Sequence, residues 1–135
     1  MAKATQFCVA LLNKPGTLAR LCRILGRAKV NIAAISVCEN NECSWVRLVA
    51  SPASTVRATL SKGGFTYTTL TVLRLGLRNN PGELARVGAR LAKNGININY
   101  VYGSSGDNER SMLIIGTDNI NAAAKALGPA AGSKA

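Results

Sequence analysis

The chain lacks histidine, has only six acidic residues, and contains no apolar run approaching the ~20 residues that span a bilayer. Without histidine, the usual base that activates a serine or cysteine nucleophile is missing. The sequence also has no G-x-x-x-x-G-K-[ST] phosphate loop, no G-x-S-x-G nucleophile motif and no clustered pair of carboxylates. We therefore expect no catalytic residues, no enzymatic activity and no association with a membrane.

Metal and disulfide chemistry is also poorly supported. The four cysteines, which all lie in the first half, form no C-x-x-C pair, so a tetrathiolate zinc site would have to use poorly matched spacings. Cys38 and Cys43 flank a predicted turn and could come close together, which leaves their redox state open. With no recognisable secretory signal, a reduced pair and a cytoplasmic location are expected. We expect no metal and no cofactor.

The strong excess of positive charge indicates acidic partners. Seventeen basic residues against six acidic ones give a formal net charge of +11. Nucleic acid, an acidic protein and carboxylate or phosphate ligands are all compatible with this charge. The basic residues are dispersed along the chain rather than grouped in a polybasic tail.

An internal repeat is the most informative feature of the sequence. The segment LLNKPGTLAR at positions 11–20 returns as LRNNPGELAR at positions 77–86. In the same register, Val30-Asn31-Ile32 matches Ile96-Asn97-Ile98. Each copy places Pro-Gly between an apolar alternating run and a helical pattern, so the sequence predicts two similar modules.

Each copy has the pattern strand, helix, strand, strand, helix. Alternating apolar residues at 7–11 and 73–77 predict the first strands, and apolar residues spaced as on one helix face follow from Leu18 and Leu84. Two hairpins are predicted, one from Val30–Val37 to Ser44–Ala50 and one from Ile96–Tyr102 to Ser111–Ile115. The second helices are expected to begin with Ser51 and Asp118 as capping residues.

The predicted order defines an α+β fold of two ferredoxin-like βαββαβ modules in tandem, each an antiparallel sheet with its helices on one face. Residues 65–72 supply a closing strand that continues without a turn into the second copy. We expect module 1 at 1–70, module 2 at 71–128 and a disordered tail at 129–135. The last strand of module 2 is missing or is supplied by another chain, which favours a homodimer.

The strand-to-helix turns are the strongest candidates for a ligand site. A glycine allows a tight turn and close approach of a ligand, and the helix start offers N–H groups and partial positive charge to a carboxylate. Asparagine side chains can bind an amino or amide group. The alternative to a ligand site is that the Asn and Pro-Gly residues have only a structural role, namely to form the turn that starts the helix.

These motifs resemble the ACT domain, a ferredoxin-like module that senses small molecules, mostly amino acids, in metabolic enzymes and regulators. The resemblance covers residues 5–72 and again 71–128, and small free-standing tandem ACT proteins are the most similar class. It implies a non-catalytic regulatory protein whose ligand binds where one module's turn meets a partner module. The implied ligand contacts are Asn13, Lys14, Pro15, Gly16, Thr17, Leu18, Asn31 and Ile32 in the first copy, and Asn79, Asn80, Pro81, Gly82, Glu83, Leu84, Asn97 and Ile98 in the second.

The copies differ in ways that predict two unequal sites. Glu83 could receive an ammonium group where Thr17 cannot, and Lys14 adds a cation that Asn80 does not supply. Tyr100 and Tyr102 are expected near the ligand groove.

Two alternative interactions stay open. Basic residues on the outer helix faces could dock an acidic protein, namely Arg20, Arg23 and Arg27 or Arg86, Arg90 and Lys93. A ferredoxin-like sheet could instead bind nucleic acid, but strand 43–49 lacks the glycine-aromatic signature of RNA-binding sheets, and we expect Trp45 in the core.

Overall fold

The computed structural model describes residues 2–40, 43–105 and 110–131. Its elements follow the order β1 (Ala2–Leu12), α1 (Thr17–Arg27), β2 (Asn31–Asn40), β3 (Cys43–Ser51), α2 (Ala53–Lys62), β4 (Thr66–Arg78), α3 (Glu83–Lys93), β5 (Tyr100–Ser105), β6 (Arg110–Gly116) and α4 (Ile120–Ala131). The chain divides into two compact units. The first module comprises residues 5–70, and the second comprises residues 71–135 together with residues 1–4.

The first module has the strand order β2-β3-β1-β4, and β3 pairs antiparallel with both β1 and β2. One face of this sheet carries the core, because cross-strand partners such as Phe7 and Leu48 are both fully buried. Leu21 of α1 and Leu60 of α2 join the same buried cluster. Both helices therefore cover one face of the sheet, as the alternation of apolar residues in β1 predicts.

The second module repeats this arrangement with the order β4-β6-β5. Leu73 and Leu75 of β4 pack with Val87 and Leu91 of α3 and with Leu127 of α4. No strand follows α4 within the described residues. Because the start of β1, Ala2–Ala4, belongs to this unit and β1 is a sheet neighbour of β4, the beginning of the same chain takes the place of a closing strand.

The shared strand is confirmed. β4 runs through thirteen residues, from Thr66 to Arg78, without interruption. It closes the first module and opens the second, so the two predicted βαββα patterns and the α+β class are also confirmed.

The start of the second hairpin differs from the prediction. Residues 96–99 precede β5 instead of belonging to a strand. The Asn97 amide donates to Asn99 Oδ1 at 3.1 Å, and Asn99 donates to Asp118 Oδ1 at 2.8 Å. Polar side chains that bond locally compete with a regular ladder, so Asn99, which stands where the first copy has Ala33, explains the shorter strand.

Both predicted capping residues are wrong. Ser51 ends β3, where it pairs with Asn31, and α2 starts after Pro52 without a side-chain cap. At α4 the cap is Asn119, whose Oδ1 accepts the Ala122 N–H at 3.0 Å. A side chain placed three residues before the amide has the geometry of an N-cap, whereas Asp118 is one residue too early.

Several predicted boundaries move outward. Glu39 and Asn40 belong to β2 and residues 103–105 to β5, whereas the remaining turn positions 41–42 and 106–108 lie outside the described residues. α4 continues to Ala131 across non-helical Gly128, three residues into the predicted tail; residues 132–135 lie outside the described residues.

Candidate functional site

The two strand-to-helix turns share one backbone geometry. We call residues 13–17 the first corner and residues 79–83 the second corner. In the first, Lys14 N donates to Leu12 O at 3.0 Å and Thr17 N to Lys14 O at 3.4 Å. In the second, Asn80 N donates to Arg78 O at 2.9 Å and Glu83 N to Asn80 O at 3.4 Å. The repeated sequence therefore builds the same turn twice.

A left-handed glycine begins each helix. Gly16 has φ 93° and Gly82 has φ 89°, a conformation that L side chains rarely adopt. No heavy atom lies within 4 Å of where a Cβ would stand at either glycine, so both corners are open to an approaching molecule. No side chain caps α1 or α3, which leaves the first-turn amides to other partners.

Most of the predicted contacts at the corners are exposed. Asn13, Lys14 and Leu18 are exposed at the first corner, and Thr17 is half-buried. Asn79, Asn80 and Leu84 are exposed at the second, and Glu83 is half-buried. Pro15 and Gly16 are also exposed at the first corner, as are Pro81 and Gly82 at the second. At each corner the predicted contact residues of the loop therefore lie together on an accessible surface.

The residue after each glycine has a different role in the two copies. The Thr17 hydroxyl donates back to Leu12 O at 2.7 Å, which fastens the first corner to the end of β1. Glu83 Oε2 instead accepts from Arg86 Nη2 at 2.7 Å and from Arg86 Nε at 3.2 Å. The carboxylate that we expected to receive an ammonium group thus already has a cationic partner on its own helix.

A cavity of about 430 Å³ lies beside the second corner, lined by Arg78, Asn79, Asn80 and Arg110. Arg78 ends β4 and Arg110 begins β6, and the two are direct partners in the antiparallel register. Like charges placed opposite each other are unfavourable, and neither guanidinium forms an ion pair with any residue that the structure describes. Two guanidinium groups beside two amides form a suitable receptor for a carboxylate.

The matching position of the first corner is chemically different. There the last pair of the register joins Leu12 to Cys43. Leu12 is 60% exposed and Cys43 is half-buried, so an apolar side chain and a thiol stand where the second corner has two cations. This difference adds to the contrast between Lys14 and Asn80 in making the two corners chemically unequal.

Sequence reasoning missed the arginine pair. Arg78 lies at the end of the alternating run of the second copy, and Arg110 lies between the two predicted strands of the second hairpin. The signal lies in the register between β4 and β6, because pairing Leu75 with Leu113 places Arg78 opposite Arg110.

The strand residues implied by the resemblance lie far from the corner of their own module. Asn31 pairs with Ser51, whereas Leu12 pairs with Cys43, and eight residues of β3 (51 − 43 = 8) span about 26 Å. Ile32 follows Asn31 at that far end. A site that uses both a corner and Asn31 therefore needs a corner from outside this module.

The second module shows the same separation. Tyr100 pairs with Gly116 and Arg78 with Arg110, so six residues of β6 (116 − 110 = 6), about 20 Å, separate them. Asn97 and Ile98 precede Tyr100 and lie beyond that end. Tyr100 stacks on Tyr102 with ring centroids 6.4 Å apart, at the strand end that lies far from the corner of this module.

Trp45 is more accessible than expected, and the cysteines are reduced. Trp45 is 43% exposed, because it alternates with the buried residues Ser44 and Val46 and so lies on the sheet face opposite the helices. The prediction of a core tryptophan is therefore wrong. All four thiols are free; Cys38 is exposed, and Cys8, Cys22 and Cys43 are half-buried.

The basic helix faces are exposed in both modules. Arg23 and Arg27 of α1 are exposed, while Arg20 donates to Gly63 O at 2.9 Å and lies 4.7 Å above the Phe65 ring. On α3, Arg86, Arg90 and Lys93 line a groove that α4 completes.

Two further findings on the described residues concern the requirements for a metal site and for a membrane-spanning helix. Within the part of the chain that the structure describes, no three His, Cys, Asp or Glu side chains are placed to hold a metal ion. No helix of that part combines the length and the apolar character needed to cross a membrane.

Comparison with known proteins identifies the class. A family model described as an ACT domain pair matches residues 2–127, nearly the whole chain. The chain belongs to this family, as the duplicated corner motif indicates. No curated protein sequence matches it.

Solved structures show the same fold. Protein BT0572 from Bacteroides thetaiotaomicron is similar with 26% identity and a TM-score of 0.88, over 93% of this chain and 86% of that one. The ligand-free regulatory subunit of aspartate kinase from Thermus thermophilus has 14% identity and a TM-score of 0.68, over 94% and 95%. The regulatory subunit of aspartate kinase from Thermus flavus has 15% identity and a TM-score of 0.58, over 93% and 90%.

Proposed function

We propose that this protein is a non-catalytic regulatory protein that binds a free amino acid and transmits its concentration to a partner. The observation that carries this proposal is the second corner. An open, left-handed glycine turn at a helix start there adjoins the Arg78–Arg110 pair. Membership of the ACT domain pair family and the regulatory subunits among the similar structures support a regulatory role.

The chemistry of the cavity fits the two ends of an amino acid. A carboxylate bound between Arg78 and Arg110 relieves the repulsion of the two facing guanidinium groups, and each guanidinium can donate two parallel hydrogen bonds. The side-chain oxygens of Asn79 and Asn80 can accept hydrogen bonds from an α-ammonium group. We assign carboxylate recognition to the second corner.

A second copy of the chain completes the site in this proposal. Asn31 and Asn97 lie about 20 Å or more along the strands from the corner of their own module, so a site that contains both an asparagine and a corner must take its corner from outside that module, and we propose that a second copy supplies it. We therefore retain the homodimer, with Ile32 and Ile98 beside the asparagines, as part of the proposed function.

A thermal-shift screen with the twenty amino acids tests the proposal, because a ligand that binds only the folded state raises Tm. The amino acid that raises Tm is then titrated by calorimetry into the unmodified protein, Arg78→Gln and Arg74→Gln. Arg74 is a matched control, because it is exposed on the same strand and face but does not line the cavity.

We expect Arg78→Gln to weaken binding at least about tenfold, since a charge-assisted hydrogen bond contributes about 1.5–3 kcal/mol. Arg74→Gln should change it less than about twofold. A screen in which no amino acid raises Tm, or equal losses in the two variants, contradicts the proposal.

Nucleic-acid binding is a second candidate, favoured by the 43% exposure of Trp45 on an open sheet face of a protein with net charge +11. Fluorescence anisotropy with single-stranded RNA at two salt concentrations tests it. Binding that falls steeply with salt and is lost in Trp45→Ala would support this candidate.

A further inference from the structure

A groove of about 800 Å³ runs between α3 and α4 of the second module. Its lining combines long basic side chains with small apolar ones: Arg86, Arg90, Lys93 and Lys125, with Ala89, Asn94, Ile96, Ala122 and Ala126. This groove involves none of the corner residues discussed above.

The charge of the groove is of one sign. No acidic residue lines it, although Arg86 forms its ion pair with Glu83. Arg90 uses one of its five N–H groups to reach Ala126 O at 2.9 Å, which fixes the guanidinium at the groove. Nothing among the described residues pairs with Lys93 or Lys125. The groove therefore favours an anionic occupant, and the carboxylates of an acidic protein meet this condition.

The shape and the walls of the groove limit the occupant further. Ala89, Ala122 and Ala126 have small side chains, so apolar groups of a partner can approach both helices closely. The backbone of a helix wall is already hydrogen-bonded internally and offers no edge to an extended strand. A helix with apolar residues on one face meets both conditions, because its backbone groups are hydrogen-bonded within the helix and its apolar face can contact the alanines.

We propose that the groove between α3 and α4 docks an acidic amphipathic helix of a partner protein, with apolar residues over the alanines and carboxylates against Arg90, Lys93 and Lys125. This proposal does not depend on amino-acid binding at the corners. It gives the second module an output surface that is separate from the proposed ligand site.

The first module repeats this chemistry only in part, because Arg20 and Arg27 stand where the second copy has Arg86 and Lys93, but the other two cations have no counterpart. Aligning the buried pair Val56 and Leu60 of α2 with Ala123 and Leu127 of α4 places Ala58 where the second module has Lys125. On the other wall, Ile24 stands where the second copy has Arg90. Arg23 and Arg27 are nevertheless exposed on α1, and they provide a control with the same charge.

The test uses a fluorescein-labelled synthetic peptide of glutamate and leucine, about 14 residues long, with leucines at helical spacing. A scrambled peptide of the same composition and a single-stranded DNA of equal charge serve as competing probes. Fluorescence anisotropy is measured for the unmodified protein, for Lys93→Glu/Lys125→Glu and for Arg23→Glu/Arg27→Glu. Both double variants exchange two exposed cations for two anions, so their net charges are equal.

We expect saturable binding of the patterned peptide, which Lys93→Glu/Lys125→Glu weakens at least about tenfold and Arg23→Glu/Arg27→Glu less than about threefold. Lys93→Gln/Lys125→Gln should give an intermediate loss and serves as the readout if the charge reversal unfolds the protein. Circular dichroism establishes folding.

Four results would overturn the proposal. The first is no saturable binding of the patterned peptide, and the second is equal weakening by the two double variants. The third is equal binding of the scrambled peptide. The fourth is tighter binding of the DNA that is lost in Lys93→Glu/Lys125→Glu, which would assign the groove to nucleic acid.

Discussion

Replacing Gly82 with alanine should destabilise the protein through the backbone alone. No heavy atom lies within 4 Å of the new Cβ, so steric overlap with neighbours adds nothing. The left-handed conformation, with φ 89°, costs a non-glycine residue about 1–2 kcal/mol. Alanine also restricts the unfolded chain, which returns about 0.4–1 kcal/mol. The expected net loss in the free energy of unfolding is therefore about 0–1.6 kcal/mol, with a central value of about 0.8 kcal/mol.

Gly88→Ala is the matched control on the same helix. Gly88 lies inside α3 without a positive φ, and its Cβ would also meet no heavy atom within 4 Å. Alanine should stabilise the protein there by about 0.5–1 kcal/mol. Urea denaturation followed by circular dichroism measures both variants, and Gly16→Ala with Gly26→Ala repeats the comparison in the first module. Equal stabilisation by alanine at positions 82 and 88 would refute the assignment of a strained corner.

Two further substitutions test contacts outside the corners. Arg20→Met removes the hydrogen bond to Gly63 O and the cation above Phe65, so it should lower the free energy of unfolding by about 1–2 kcal/mol. Arg23→Met, on the same helix, should change that energy by less than about 0.5 kcal/mol, and a similar loss in both would show that the Arg20 contacts contribute nothing. Asn119→Ala removes the cap of α4 and should cost about 1 kcal/mol, measured by thermal unfolding; an unchanged Tm would contradict the cap.

Most of the fold was predicted from the periodicity of the hydrophobic residues. Leu73, Leu75 and Leu77 alternate with exposed arginines, and the structure buries all three. Leu21 and Leu25 of α1 are buried as their helical spacing predicts. Which residues of a strand or helix are buried depends on a period of two or 3.6 residues within that segment. This period can be read directly from the sequence.

The failures arose where a neighbouring strand or a local side chain decides the outcome. Trp45 is exposed because its strand has an open face, and that face cannot be read from the strand alone. Asn97 and Asn99 use their amides locally, although the repeat predicted a strand. The Arg78–Arg110 pair depends on the register between two strands that are distant in sequence.

The two corners have the same backbone geometry but different side chains on the neighbouring strands. The Lys14 and Asn80 amides donate at 3.0 and 2.9 Å, and the glycine φ angles differ by only a few degrees. The Pro-Gly sequence and the end of the preceding strand therefore determine the backbone of the turn. A ligand site at either corner has the same arrangement of amides at the start of its helix. The side chains opposite the turn are not constrained by that geometry, so Leu12 with Cys43 in one copy can correspond to Arg78 with Arg110 in the other. Because the backbone is equal, a difference in ligand preference between the corners must come from side chains, and the cross-strand pairs differ in charge along with Lys14 and Asn80 of the loops. Exchanging the cross-strand pairs should therefore transfer the part of that preference that depends on the two arginines.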